Sequence, residues 1–460
     1  MGYRLLGDKA FYRKVIAIAI PIIIQNSITQ FVQLLDNIMV GQVGTLEMSG
    51  VSIANQLILI FNLCVFGANS GAGIFTAQFY GSRDHDGIRN TNRYKMLVCL
   101  ILSALGICGF SLFGRDLIQT FLQGQGKPED AQQILGHSFD YMKIMFLGFL
   151  PFAINNAYSC TLRECERTVL PMVGGIAAVL TNLVLNYVLI FGHFGAPKLG
   201  VNGAAVATVI SRYVELGVVV LWSHCHKKQF PFLKGVYRSL RIPLNLVKRI
   251  TLKGMPLMIN ECFWSVGIAL IAQSYSTCGL DVVPAINIAD TINNFSNVVN
   301  FALGSTVAII MGQMMGAGEA KKDIQVANIR LAILAVFFGV FFAILLSSIS
   351  GLFPLLYNTS DTVRNLASSL ILISAFMKPF QAYVYTGYYT LRSGGKSLTT
   401  MLYDSGLLWA LTLPLAFCLS RFTDLPIIPL YAICQSCDLV KTVLCYFLVR
   451  KGTWIQNLTQ

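Results

Sequence analysis

Residues 331–349 read LAILAVFFGVFFAILLSSI, directly after Arg330. No charge interrupts the run, and about 20 apolar residues of helix cross the hydrocarbon core of a bilayer. A membrane β-strand would be about 10 residues long and alternate in polarity; this stretch does neither. The pattern recurs along the chain, at 15–40, 48–79, 96–122, 138–162, 169–193, 200–223, 250–278, 284–316, 327–357, 362–391, 399–420 and 426–449. The expected fold is therefore an all-α polytopic membrane protein of twelve transmembrane helices. Of the 460 residues, 55% are apolar and only 12% are charged, against about 25% charged in soluble proteins. The charges cluster between the runs. This excludes a soluble multi-domain enzyme, a disordered chain and a nucleic-acid binder with an ordinary core.

The formal charge of +13 reads as topology. Basic residues crowd the N-terminus (Arg4, Lys9, Arg13, Lys14), every even-numbered loop and the C-terminus (Arg450, Lys451). The loop after the sixth run alone holds Lys227, Lys228, Lys234, Arg238, Arg241, Lys248, Arg249 and Lys253. The other side offers Arg115, Lys127, Lys198, Arg364 and Arg421. Positive residues stay inside, so both termini are expected in the cytoplasm of a cell carrying this chain in its plasma membrane. The first run follows basic residues, as a signal peptide does. It has no small-residue cleavage site and continues past Asp36, so it is read as a span.

The chain repeats itself. Pro21 matches Pro256, Ile53-Ala54-Asn55 matches Ile288-Ala289-Asp290, and Gln78-Phe79-Tyr80-Gly81 matches Gln313-Met314-Met315-Gly316, each pair 235 residues apart. Thr161-Leu162-Arg163 and Thr390-Leu391-Arg392 match at 229. Two pseudo-symmetric six-helix lobes follow, 1–225 and 250–460, joined by a basic cytoplasmic linker at 226–249. Because six is even, the repeat is parallel, and the expected substrate site is a central cavity between the lobes.

Polar stripes mark helix faces. Asn26, Gln30, Gln33 and Asn37 recur at helical spacing in the first run, beside Asp36. Ser52, Asn55, Asn62 and Asn69 do so in the second, and Asn287, Asp290, Thr291, Asn294 and Asn297 in the eighth. Polar groups at bilayer depth need partners or water. Helix–helix hydrogen bonds account for single residues of this kind; stripes at corresponding places in both halves point to a wet cavity. Ionisable residues inside spans are rarer: Asp36, Glu261, Asp290, Lys378 and Asp404. Lys143, Arg212, Asp438 and Lys441 lie nearer span ends, where snorkelling is expected. A carboxylate in a dry bundle holds a proton or recruits a cation, as an ion-coupled carrier requires. Phe263, Trp264, Phe380, Tyr383 and Tyr385 lie near Glu261 and Lys378 in sequence; such aromatic residues suit an amphipathic cation, or simply pack.

There is no P-loop with its Lys-Ser/Thr, no H-E-x-x-H and no G-x-S-x-G, so neither an ATP-driven pump nor an enzyme is expected. Twelve cysteines are scattered, mostly in spans, and read as small apolar residues. His224, Cys225 and His226 lie in a basic loop and are not taken as a metal site.

The segment Asp36-Asn37-Ile38-Met39-Val40-Gly41 is similar to the D-x-x-M-V-G end of the first helix in one family, the multidrug and toxic compound extrusion (MATE) transporters. Gln78-Phe79-Tyr80-Gly81 and Gln313-Met314-Met315-Gly316 resemble its G-Q-x-x-G loops. Leu162 to Thr168 and Leu391 to Ser397 resemble its L-R-x-x-G-x-T loops, and Gly203 to Thr208 its G-A-A-x-A-T. The resemblance covers all twelve spans in order. It implies an antiporter that exports organic cations or drugs in exchange for H⁺ or Na⁺, with no other cofactor, no nucleic-acid partner, a lipid surround and a monomeric state. It further implies an ion site of Asp36, Tyr141, Asn182, Asn186 and Thr208, although one subgroup carries Asp where Asn186 stands. Another subgroup uses a seventh-helix Glu, which Glu261 fits, and a tenth-helix Asp, where this chain offers Lys378 and Gln381. That exchange leads to the expectation that Lys378 pairs with Glu261 in the place of a coupling cation. Asp290, Asn294, Tyr385 and Gln33 complete the expected cavity lining. The alternatives are a lipid-linked oligosaccharide flippase of related fold, which should carry a more cationic cavity, and a channel or receptor.

Overall fold

The computed structural model describes residues 7–122, 128–239 and 241–459; Arg4 and Lys127 lie outside the described residues. The helices are α1 Lys9–Gly41, α2 Thr45–Gly81, α3 His85–Leu122, α4 in two segments (Pro128–Phe146 and Phe149–Glu164), α5 Val169–Phe191 and α6 Val201–Cys225. Then follow α7 Leu244–Ser276, α8 Val282–Gly316, α9 Lys321–Ile349, α10 Asp361–Ser393, α11 Ser397–Phe422 and α12 Ile427–Arg450. Among the described residues 10 helices are long and apolar enough to cross a membrane; α4 and α10 fall outside that set. No strand forms among the described residues.

Several helices begin before their apolar runs. α1 starts at Lys9, α3 at His85, α4 at Pro128, α7 at Leu244 and α9 at Lys321. An apolar run records the depth of hydrocarbon, whereas a helix continues wherever its backbone can pair, and Lys, Arg, Glu and Gln are good helix formers. The basic linker is folded rather than a bare tether. Phe230, Phe232, Leu233 and Val236 are buried. Arg93 donates to the carbonyls of Val236 (2.7 Å) and Gly235 (3.1 Å), and Arg89 to that of Lys234 (2.9 Å).

Two helices depart from α geometry. Pro151 has no N–H for the carbonyl four residues back, and α4 breaks there. The N–H groups of Leu147 and Gly148 bond instead to Ile144 and Met145, at 3.2 and 2.9 Å. Arg212 does not snorkel: its guanidinium donates to the Gly148 carbonyl at 3.2 Å and lies 4.8 Å from the Phe152 ring. α11 widens into π turns at Leu402–Gly406 and Leu408–Thr412. The freed N–H of Ser405 donates to Asn260 Oδ1 at 3.3 Å, and its hydroxyl donates to the same oxygen at 2.6 Å.

The chain divides into two compact units. One comprises Met1–Ile23, Ala77–Arg83 and Met255–Gln460, the other Ile24–Thr76 and Asp84–Gly254. In the second unit the core gathers around Phe149, stacked on Phe61 with centroids 4.1 Å apart. In the first, Val15, Ile18 and Ile22 of α1 pack with Ile310, Met311, Met315, Tyr389 and Trp454.

The sequence repeat has a structural counterpart inside the first unit. A Cβ on Gly81 would strike the Gln313 carbonyl, and one on Gly316, its repeat mate, would strike the Gln78 carbonyl. Gly312 meets Ala77, again 235 residues apart. The ends of α2 and α8 thus touch backbone to backbone about a local two-fold. Each half also closes a matching hydrogen bond, Thr161 to Asn92 (3.2 Å) and Thr390 to Asn328 (2.6 Å). Gly316→Ala is expected to destabilise by about 1–3 kcal/mol, the usual cost of overpacking, lowering the thermal unfolding midpoint in detergent. Gly109→Ala, with nothing within 4 Å of the added carbon, is the control. Equal midpoints for both variants would mean that the two helix ends part easily.

Candidate functional site

In the second unit, residues from α4, α5 and α6 gather around Asp36 of α1. Asn182 and Asn186 are one turn apart on α5 and share a face; both are buried. Asn186 Nδ2 donates to Asp36 Oδ1 at 2.6 Å. With its nitrogen toward Asp36, 2.9 and 3.3 Å from the carboxylate oxygens, the Asn182 amide donates to the carboxylate while its oxygen accepts from Thr208 Oγ1 at 3.3 Å. Amide orientation follows from such a network. Tyr141, buried on α4, lies within electrostatic reach of Asp36 and Arg212 and is hydrogen-bonded to Asn55. Asn186 Oδ1 is buried and has no partner among the described residues. The groups that face Asp36 are thus amide donors, and a carboxylate set among them can take up a proton or attract a cation. The expected ion-site residues are thus gathered around one carboxylate. Gln33 stays exposed on α1 and takes no part; the side chain of Asn37 lies outside the described residues.

In the first unit the ionisable residues form two groups. Glu261 accepts from the Tyr388 hydroxyl at 3.3 Å, and the opposite charge that acts on it is Arg392. Beside it, Asn260 Nδ2 donates to Asp404 Oδ2 at 2.9 Å. The second group is built on Lys378, which donates to Asn297 at 3.3 Å and feels the charges of Asp290 and Asp438. Gln381 donates to Gln435 (3.2 Å) and Asp438 (3.1 Å). Lys441 approaches Asp438 at 4.0 Å. Tyr385 packs edge-on against Phe301, centroids 5.1 Å apart.

Lys378 and Glu261 therefore do not pair. Glu261 is held at the level of Tyr388, ten residues beyond Lys378 on α10, and ten residues of helix rise about 15 Å. Asp438 and Lys441 do not snorkel outward; both join the internal network, and Lys441 is buried. Lys143 remains exposed, paired with Asp140 at 3.0 Å. On α8, Asn287, Asp290 and Asn294 are exposed while Ile288, Ala289 and Asn293 are buried. A polar exposed face at membrane depth requires water.

Sequence reasoning missed Asn260, Arg392 and the Asp438–Lys441 pair. The i, i+3 spacing of Asp438 and Lys441 was the available signal. Arg392 follows the apolar run at 362–391, but α10 runs to Ser393 and keeps it in the helix, 6.0 Å from the Tyr388 ring. His224 is engaged by Tyr158 (3.0 Å), and His226 stacks on Trp222 (4.3 Å between centroids).

Known proteins share this architecture. The MatE family profile matches residues 21–188 and 256–418, its two copies beginning at the repeat-related Pro21 and Pro256. The probable multidrug resistance protein YoeA of Bacillus subtilis is 25% identical over 442 residues, covering 95% of this chain and 92% of that protein. Multidrug resistance protein MdtK of Photorhabdus laumondii is 26% identical over 415 residues, 88% of this chain and 87% of that one. The crystal structure of the Vibrio cholerae MATE transporter VcmN superposes with a TM-score of 0.86 at 17% identity, over 98% of each chain. With the profile matched in both halves, the chain belongs to the MatE family and is a multi-pass membrane transporter of the MATE multidrug efflux type, not an enzyme.

Proposed function

We propose that this chain exports amphipathic organic cations from the cell in exchange for H⁺ or Na⁺. The observation that carries this reading is the Asp36 group: one carboxylate, two stacked asparagine amides and a threonine hydroxyl from α1, α5 and α6. When a proton or Na⁺ occupies Asp36, its charge is cancelled, and the donors that face it exchange one hydrogen-bond arrangement for another. An ion shifts a conformational equilibrium only through different affinities for the two states, and a buried carboxylate supplies that difference. The lobes, 1–225 and 250–460, then alternate access by rocking. Both termini face the cytoplasm in the plasma membrane, and the carrier works as a monomer. The carboxylates Glu261, Asp404 and Asp438, partly offset by Arg392, Lys378 and Lys441, lie with Tyr385 and Tyr388, aromatic rings that suit a cationic substrate.

Uptake of externally added cationic dye by everted vesicles tests this reading, with pH and Na⁺ gradients applied separately. Saturable, gradient-dependent transport by one of the two ions is expected. Linear flux, without saturation or ion dependence, would exclude an antiporter.

A further inference from the structure

A cavity of about 300 Å³ opens within the first unit at the start of α1 and the α8–α9 turn. Its wall carries two cations, Lys14 and Arg330, and two carboxylates, Glu319 and Asp323; Phe11 and Met314 line its apolar part. The charges are arranged by the local fold. Lys14 donates to Gln313 at 3.2 Å, and the Arg330 guanidinium lies 5.8 Å from the Phe11 ring. Glu319 lies on the short turn after α8, where Gly318 adopts φ 74°, and Asp323 opens the first turn of α9. Partial desolvation, and then the charge of Asp323, push the Glu319 carboxyl above its ordinary range, while Lys14 pulls it back. A positive ligand group would relieve the carboxylate repulsion further.

We propose that this cavity binds a zwitterionic phosphoamine of the phosphoethanolamine type, its phosphate toward Lys14 and Arg330 and its ammonium toward Glu319 and Asp323. Arg and Lys recognise phosphate through charge-assisted hydrogen bonds, and basic pockets between membrane helices hold lipid headgroups. A purely anionic headgroup would meet the two carboxylates with no cation to offer them. A choline group carries charge but no N–H to donate. The apolar wall suits the glycerol and first methylenes of a lipid, although a free phosphoamine shares the same recognition chemistry.

The test is binding to the purified full chain in detergent, read by thermal stabilisation and by hydrogen-exchange protection of 9–17 and 317–330. The probes are phosphatidylethanolamine, phosphatidylglycerol, phosphatidylcholine and soluble glycerophosphoethanolamine. Phosphatidylethanolamine is expected to bind about tenfold more tightly than the other two lipids, the effect of one charge-assisted contact. The double variant Glu319→Gln/Asp323→Asn should erase that preference while retaining phosphatidylglycerol binding, and Lys14→Gln should weaken all three lipids. Equal binding by the soluble headgroup would assign the site to a free phosphoamine rather than a lipid, the chemistry unchanged. Equal affinity for all three lipids, a preference surviving the double variant, or protection elsewhere in the chain would overturn the proposal. Glu319 and Asp323 are exposed, so their substitution leaves the packing intact.

Discussion

Asp36→Asn is expected to remove gradient-driven efflux while leaving the protein folded and inserted. The substitution keeps the shape of the side chain and can still meet Asn186, whose amide lies 2.6 Å from the carboxylate. It deletes the negative charge and one of the two oxygens. An amide neither exchanges a proton in the accessible pH range nor attracts a cation, so both candidate ions lose their seat together. Allosteric coupling of about 3 kcal/mol corresponds to a factor of about 150, so transport against a gradient should fall by about two orders of magnitude. Glu261→Gln should do less, because Glu261 already has Tyr388 as a donor and the charge of Arg392 acting on it. Initial rates of dye transport in everted vesicles, normalised to protein level, decide the matter. If Glu261→Gln abolishes coupled efflux and Asp36→Asn retains it, the ion site has been assigned to the wrong carboxylate.

The largest stability effect belongs to a pair whose two members lie just outside the apolar runs at 96–122 and 138–162. Lys95 and Glu164 form a salt bridge, with the Lys95 side chain wholly buried. Lys95 also donates to Thr161 Oγ1 at 3.1 Å, and Thr161 in turn donates to Asn92. Removing one partner of a buried pair costs about 3–5 kcal/mol, because the other charge is left in a poor solvent. Replacing both by apolar residues of similar volume is often close to neutral. Glu164→Gln and Lys95→Met should therefore each lower the unfolding midpoint sharply, and Lys95→Met/Glu164→Leu should recover most of the loss. The non-additivity of that cycle is the diagnostic. Additive single effects would show that the two side chains act independently.

Much of this molecule is legible before any coordinates. The run at 331–349 specifies a membrane helix through its lack of charge, and the Gln78/Gln313 repeat specifies the α2–α8 crossing because only glycine at 81 and 316 permits it. Helix ends are less legible. Hydropathy reports where lipid begins, and α3 continues outward to His85 on charged and polar residues. The Asp36 group was reached by family resemblance, since nothing in the spacing of Asn182 and Asn186 says which helix they face. The π turns of α11 leave no clear trace either, because they depend on Asn260 of another helix accepting from Ser405. The supposed Lys378–Glu261 pair failed on axial position, which a list of charged residues per helix does not contain.

The central claim is that Asp36 exchanges its ion when substrate is bound. The direct measurement is ion release from purified protein in weakly buffered solution. A saturating organic-cation dye is added while proton release and displacement of radioactive sodium are followed, for the natural chain and for Asp36→Asn. One of the two ions should leave the natural chain in proportion to dye bound, and neither should leave the variant. Undiminished release from Asp36→Asn, or dye binding to the natural chain without release of either ion, would contradict the account.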